Sequence, residues 1–453
     1  MGKSRKNSGE AVQLVPRVVV VGGGFAGIQA VKSLRRSAVE IVLVDRQNYH
    51  LFQPLLYQVA TGGLSPADIA TPLRYIFKRQ KNVRVLRDEV VDIDVEDHEV
   101  ITKHTRIHYD YLVVTTGAKN HYFGNDHWEE HALGLKSLEE ALEIRRRVFL
   151  AFEDAECLGQ ISAEMETIRF VVVGGGPTGV ELAGAIGELS AHTFRGEFHN
   201  IDPAKAEILL IETGERILPN YPKALSIHAR RDLERLGVEV YTKTLVSKID
   251  ECGVTLQHDH GEEWIPAQAV FWAAGVQASD LGKKLAEKVG VELDKSGRVR
   301  VQADLSIPNY PNIFVAGDLA SSLDESIDQP LPGVAPVAMQ EGKYVGQKIN
   351  ALVRGKNRPP FRYRHRGTLA VIGRAAAVAD LGRIQLRGYM AWLVWLFVHL
   401  MNLVEFENRL LVLIQWGWNY LTRNRSARLI TSTSHLARKS EPESPLGKEN
   451  LPK

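Results

Sequence analysis

The stretch "RVVVVGGGFAGIQAVKSL" (Arg17–Leu34) returns in kind as "RFVVVGGGPTGVELAGAI" (Arg169–Ile186). Each copy runs from an apolar segment through three glycines into a segment with apolar residues on one helical face, such as Ile28, Val31 and Leu34. Unbroken valine runs suit strands covered on both faces, as in parallel sheets flanked by helices. Glycines spaced G-x-G-x-x-G between such a strand and helix let backbone N–H groups approach a pyrophosphate, with the helix N-terminus adding partial positive charge. Gly22, Gly24 and Gly27 fit the first copy, and Gly174, Gly176 and Gly179 the second. Alone, one such motif often marks only a tight turn. Here each copy is followed by a strand-like segment closed by an acid, Asp45 in "EIVLVD" and Glu212 in "AEILLIE". A carboxylate there accepts from a ribose 2′-hydroxyl and repels a 2′-phosphate, although Arg216 lies near Glu212.

The sequence therefore predicts an α/β chain with two Rossmann-like dinucleotide-binding domains. At 453 residues there is room for two or three domains with ample core. A net charge of +2 argues against nucleic acid as a partner. Cys157 and Cys252 lack C-x-x-C spacing and are too few for a disulfide framework, which suits a reducing compartment. Residues 1–16 are polar and lack the apolar core of a secretory signal, so a cytosol-side protein is expected. The fifteen histidines show no ligand spacing, and no metal site is predicted.

Boundaries follow from shifts in composition. A polar extension covers 1–16, and the first dinucleotide-binding domain begins at 17–134. The second spans 135–285, entered through an amphipathic helix at about 135–160. It carries a charged helix at 222–236 and a meander over 238–270. The first domain resumes over 286–387, with a helix entered through Pro332 and Gly333 and a strand-like region at 367–387. Residues 388–421 are strongly apolar, and 422–453 read as a disordered tail.

Further marks accompany the turns: "TTGA" (Thr115–Ala118), "WAAG" (Trp272–Gly275) and "VAGD" (Val315–Asp318). This ordered set resembles the two-dinucleotide-binding-domain flavoprotein reductases. The resemblance implies FAD on the first fold and NADH on the second, with Asp45 and Asp318 toward FAD and Glu212 toward NADH. It adds Thr116, Gly117 and Gly275 to the cofactor-binding residues. Relatives that reduce disulfides carry a cysteine pair soon after the first dinucleotide strand; here "NYHLFQPLLYQVATGG" holds none. That segment, "GGGPTGVELAGA" and the apolar C-terminal region together resemble the type II NADH dehydrogenases, single-subunit NADH:quinone oxidoreductases that pump no protons. The resemblance implies a helix written A-Q-x-x-x-Q beside the flavin at a quinone pocket. Ala335–Gln340 stands there, with Pro336 in place of the first glutamine and Gln340 as the second. It also places Glu181 at the flavin–nicotinamide junction with a part in proton delivery. An ordinary reason for Glu181 stands beside that role, since an acid in the first turn of a helix is favoured by the dipole. Gln53, with Pro54 and Leu55, is expected at the flavin or quinone pocket or in plain packing, and His50 in packing or on the polar surface.

"YMAWLVWLFVHLMNLV" (Tyr389–Val404) carries no charge, and "LLVLIQWGWNYL" (Leu410–Leu421) follows after Glu405, Glu407 and Arg409. The first falls short of the roughly 20 residues a spanning helix needs. Trp-rich apolar helices followed by Arg423, Arg425 and Arg428 read as an in-plane anchor on the bilayer surface through 388–421. A buried helical hairpin or a homodimer interface is the competing reading. The whole points to a peripheral enzyme that passes electrons from NADH to membrane quinone, at the cytoplasmic face of a bacterial plasma membrane or on an organelle inner membrane. Two rivals stand beside it: an NAD(P)H-dependent reductase of another acceptor, and a redox-signalling flavoprotein resembling relatives of apoptosis-inducing factor.

Overall fold

The structure, a computed structural model, describes residues 15–159, 167–259, 261–324, 329–422, 425 and 427–430. Most of the expected polar extension and the tail from Thr431 lie outside the described residues.

Both valine runs form central strands of parallel sheets. Arg17–Val21 pairs in parallel with Glu40–Asp45 on one side and Tyr111–Val114 on the other, placing Val19 opposite Val42 and Leu112. Val83–Arg87 and Tyr310–Val315 extend this sheet, and Ser306–Ile307 closes its edge antiparallel. Residue 310–315 thus returns to the first sheet from far along the chain. The second sheet runs Ala132–Gly134, Ala269–Trp272, Arg169–Val173, Glu207–Ile211, Val238–Tyr241, all parallel. Val18–Val20 and Phe170–Val172 are fully buried, as strands covered on both faces must be. The expected meander is shorter than read: Val238–Tyr241 belongs to the parallel sheet, and only Leu245–Pro266 forms an antiparallel three-stranded unit. Alternation over 238–241 matched a hairpin as well as an edge strand, so pattern alone could not separate them.

Two helices start in the glycine turns, Phe25–Ser33 and Pro177–Glu188. The second runs into a π-helical turn, Leu189–Thr193. Because it begins at Pro177, Glu181 falls in its second turn and not its first, so the helix dipole does not account for an acid there. The amphipathic connector is the helix Leu138–Gly159. The long helix Ala335–Val353 opens at Ala335, with Pro336 in the first turn where its missing N–H costs nothing. It lies against Phe25–Ser33 at backbone contact. A Cβ on Gly342 would stand 2.0 Å from the Ala26 carbonyl oxygen, and one on Gly346 would stand 2.5 Å from that of Ala30.

The C-terminal region is an antiparallel sheet, Thr368–Gly373, Ala376–Asp380 and Gln385–Arg387, followed by helices Gly388–Asn402 and Phe406–Thr422. No helix among the described residues is long and apolar enough to cross a membrane. One face of the helix pair is part of the core: Ala391, Trp395, Leu403, Val412 and Trp416 are buried. The other leaves Phe397 63% and Trp418 60% exposed, together with Met390, Leu411 and Ile414. The arginines expected to face lipid do not stand free. Arg425 pairs with Glu188 at 3.2 Å and donates to the Thr61 carbonyl, and Arg428 pairs with Glu197. Arg423 lies outside the described residues.

Candidate active site

Gly22 has φ +102° and Gly174 φ +111°, a region where a side chain is strained. A Cβ on Gly27 would lie 1.9 Å from the Gly22 carbonyl oxygen, and one on Gly179 would lie 1.9 Å from that of Gly174. The third glycine of each motif is therefore required by the turn itself. Gly24 and Gly176 instead face open space and leave their helices without a side-chain cap. First-turn N–H groups with no cap are what an anionic bridge would occupy, so both turns fit a dinucleotide.

The acids close these turns in parallel fashion. Asp45 accepts from Gly23 N at 2.5 Å and Gln47 N at 2.7 Å; Glu212 accepts from Gly175 N at 2.7 Å and Gly214 N at 2.6 Å. Burial raises the Asp45 carboxyl above its ordinary value, against the pull of those two N–H donors. The Arg216 guanidinium is spent on the carbonyls of Leu218, Pro219 and Tyr221. The nearby cation that clouded the choice of nicotinamide cofactor is thus engaged with its own loop.

Other expected residues lie in the loops beside the two turns. Thr115 donates to the carbonyls of Val21 and Gly22, while Thr116 bonds Ser279 and Gly117 turns at φ +69°. Gly275 lies under Phe123, where a Cβ would meet the ring at 2.7 Å. Asp318 sits in the one-turn helix Gly317–Leu319. That turn is held by Glu341, which is fully buried and accepts from Gly317 N at 2.6 Å and from Ser322 Oγ. Burial pushes the Glu341 carboxyl up to about 7, against those two donors. His50 donates from Nδ1 to the Gly23 carbonyl at 3.0 Å and is pushed by burial down to about 4. It is packed against Phe25 as a neutral strut of the glycine turn, not a surface residue.

Two expected residues are not brought to a common site. Gln53 donates to the Lys136 carbonyl, tying its loop to the connector. Gln340 binds the Arg364 backbone at both ends of its amide, Nε2 to O and N to Oε1, each at 3.0 Å. It lines a groove with Lys343, Arg358 and Arg366, away from Glu181.

Glu181 lines a pocket of about 120 Å³ between its own helix, helix Leu56–Ala60, strand Thr368–Gly373 and the C-terminal helix pair. Tyr57, Gln58, Trp395, Trp416 and Arg425 share the wall. Glu181 keeps some accessible surface, and as a wall residue it turns that surface to the pocket. The surrounding protein still desolvates it strongly, and burial pushes its carboxyl up to about 8, against the Val371 N–H at 3.3 Å and the Trp395 indole. It is an acid that holds its proton at neutral pH. His399 stacks on Trp395 at 4.3 Å, meets the edge of Phe52, and is pushed by burial down to about 4. Tyr57, Gln58, Trp395 and Trp416 were not singled out from sequence, and Arg425 only as an anchor residue, because the segments that form this wall lie about 120 to 360 positions apart.

Residues 16–342 match the pyridine nucleotide-disulphide oxidoreductase family, and residues 365–424 match the NDH2 C-terminal domain. The chain is thus an oxidoreductase of the class with two dinucleotide-binding folds. It is 43% identical to the type II NADH:quinone oxidoreductase Ndh of Mycobacterium tuberculosis, over 93% of this chain and 92% of that one. It is 30% identical to the type II NADH:quinone oxidoreductase of Staphylococcus aureus, over 79% of this chain and 87% of that one. The structure of NDH2 from Plasmodium falciparum in complex with NADH superposes with a TM-score of 0.83 at 21% identity, covering 92% of this chain and all of that one; it shares the fold. The chain belongs to the type II NADH:quinone oxidoreductase family.

Proposed function

We propose that the protein oxidises NADH and reduces a membrane quinone, with FAD on the first glycine turn and NADH on the second. FAD, when bound, supplies the two-electron relay between the two substrates, and the protein supplies binding, orientation and protons. The N–H groups after Gly24 and the carboxylate of Asp45 would grip FAD, with Thr116, Gly117 and Asp318 along its length. The matching groups after Gly176, with Glu212 and Gly275, would grip NADH. Glu212 favours a free 2′-hydroxyl over a phosphate, and Arg216 is not available to reverse that preference.

The observation that carries the reading is the Glu181 pocket. Quinone reduction consumes two protons in a place from which water must be kept. A carboxyl pushed up to about 8 in a tryptophan-lined wall holds one of them ready at neutral pH. Gln340 acts in this reading as a staple for the 361–366 segment. The exposed faces of the C-terminal helices lie on the bilayer surface, which we place at the cytoplasmic side of a bacterial plasma membrane. Their attraction is mainly apolar, since Arg425 and Arg428 are paired within the protein. Stopped-flow bleaching of the flavin by NADH, followed by recovery on adding quinone, tests the whole. Reduction without recovery would sink the quinone assignment and leave a reductase of another acceptor.

A further inference from the structure

Trp416, on the last helix, donates its indole N–H to Gln58 Oε1 at 2.8 Å. Indole nitrogen is a donor only, so this bond fixes which end of the Gln58 amide faces it. The amide nitrogen must then face the other way, and Gln58 Nε2 donates to the Tyr57 hydroxyl at 2.8 Å. The phenol oxygen is thereby the acceptor of that bond. Its own hydrogen is left over, and among the described residues it is donated to no protein acceptor. Tyr57 is nearly buried and lines the pocket that Glu181 lines, so the spare donor has that space before it.

We infer that Tyr57 is the hydrogen-bond donor to a quinone carbonyl oxygen in this pocket, its hydrogen aimed by the relay Trp416–Gln58–Tyr57. The inference rests on the quinone reading above and adds to it the group that meets the substrate. A donor fixed before the substrate arrives stabilises negative charge as it grows on the carbonyl oxygen, without reorganising. Tyr57 keeps its proton throughout, because burial and the nearby Glu181 push its phenol well above its ordinary value. The hydroxyl polarises; Glu181 delivers. The relay also ties chemistry to architecture, since the aiming indole comes from the C-terminal helix pair and the phenol from the segment after the first dinucleotide strand.

The test uses the full-length, FAD-loaded protein with menadione, a naphthoquinone, as oxidant. Tyr57→Phe is expected to slow flavin reoxidation by about 10- to 100-fold while reduction by NADH stays within about twofold. Trp416→Phe frees the Gln58 amide to rotate, so that its oxygen captures the Tyr57 hydrogen; reoxidation slows several-fold. Adding Gln58→Met to Trp416→Phe removes the competing acceptor and restores part of the rate. A purely structural defect would deepen with the second change. The carbonyl stretch of carbon-13-labelled menadione, bound to the oxidised protein, should lie lower in the unaltered protein than in Tyr57→Phe. If menadione does not reoxidise the unaltered protein, the quinone reading falls and this inference with it. If it does, but Tyr57→Phe matches the unaltered protein in rate and carbonyl frequency, the inference alone is overturned. Should Tyr57→Phe lose its flavin, the Trp416→Phe pair decides, and absence of rescue overturns it.

Discussion

The two glycine turns are near-copies that diverge one turn into their helices. Gly22, Gly24 and Gly27 correspond to Gly174, Gly176 and Gly179, with matching positive φ at the first glycine and the same 1.9 Å demand at the third. Two residues beyond the last glycine, the first copy carries Gln29 and the second Glu181. Neighbours differ as well. The first helix is sealed by backbone contact with Ala335–Val353, whereas the second packs through Gly184 on strand Thr368–Gly373 and turns the adjoining Glu181, Ala185 and Glu188 to a pocket. The comparison teaches that the same backbone demands are met in both glycine turns, while only the second sets an acid in the wall of a pocket.

The largest effects should come from the shared feature. Gly27→Ala and Gly179→Ala each force a methyl group into a carbonyl oxygen, yet they should fail differently. Gly27→Ala is expected to purify with less than about a tenth of its FAD, since the turn that grips it cannot close. Gly179→Ala should keep the flavin and lose NADH-driven reduction on the order of 100-fold, as expected for an ångström-scale misplacement of a bound reactant. Flavin absorbance and stopped-flow reduction measure both. Loss of FAD in both variants would erase the division of labour between the copies.

Next in size is a contrast within the C-terminal helices, which bury one apolar face and leave the other exposed. Trp395 is 2% exposed in the Glu181 wall, and Phe397 is 63% exposed on the opposite face. Trp395→Ala opens a cavity expected to cost about 3–5 kcal/mol and to slow reoxidation even by a small water-soluble quinone. Phe397→Asp should leave that soluble reaction alone and weaken flotation with liposomes. If both changes weaken soluble turnover and liposome binding equally, the helix pair has no division of faces.

The parts most legible in the sequence were those whose cause is local. Valine runs, glycine spacing and a closing acid each follow from the backbone demands of one strand–turn–helix unit, so both units were readable. So was the apolar block, as a segment that must cover something. What it covers was not readable, because the burial of Trp395 and Trp416 depends on pairing with segments hundreds of residues away. The same distance hid the Trp416–Gln58–Tyr57 relay, whose phenol and amide lie in "NYHLFQPLLYQVATGG". Glu181 stands out through the resemblance, and the helix start at Pro177 sets it in the second turn, where the dipole gives no sufficient reason for an acid.

Glu181 gives the third effect, through pH. Its carboxyl moves from an ordinary 4.5 to about 8 on folding, so between those values the native state holds a proton that the unfolded chain has released. The contribution favours folding less as pH rises through this window and levels off above about 8. Reoxidation by quinone should fall over the same upper limit as the carboxyl gives up its proton in advance. In Glu181→Gln reoxidation should be slower and flat with pH. Its thermal midpoint should also decline less between pH 6 and 9, by about 1–3 °C. Unchanged pH dependence in the variant would make Glu181 a wall residue without chemistry.

The smallest effect is expected at Gln340, and it separates motif from geometry. The A-Q-x-x-x-Q pattern assigns this glutamine to the quinone, and on that basis Gln340→Ala should slow reoxidation strongly. In the structure both ends of its amide are occupied by the Arg364 backbone, in a groove that Glu181 and Tyr57 do not line. Losing two hydrogen bonds at a half-buried site should cost about 1–2 kcal/mol of stability. Quinone turnover should change less than about threefold, the scale of a loosened support and not of a lost contact in the transition state. The decisive comparison is therefore Gln340→Ala against Tyr57→Phe under the same quinone. A larger loss at Gln340 would mean that helix Ala335–Val353 turns this amide toward the substrate when the cofactor is in place, and that the pocket beside Glu181 serves another purpose.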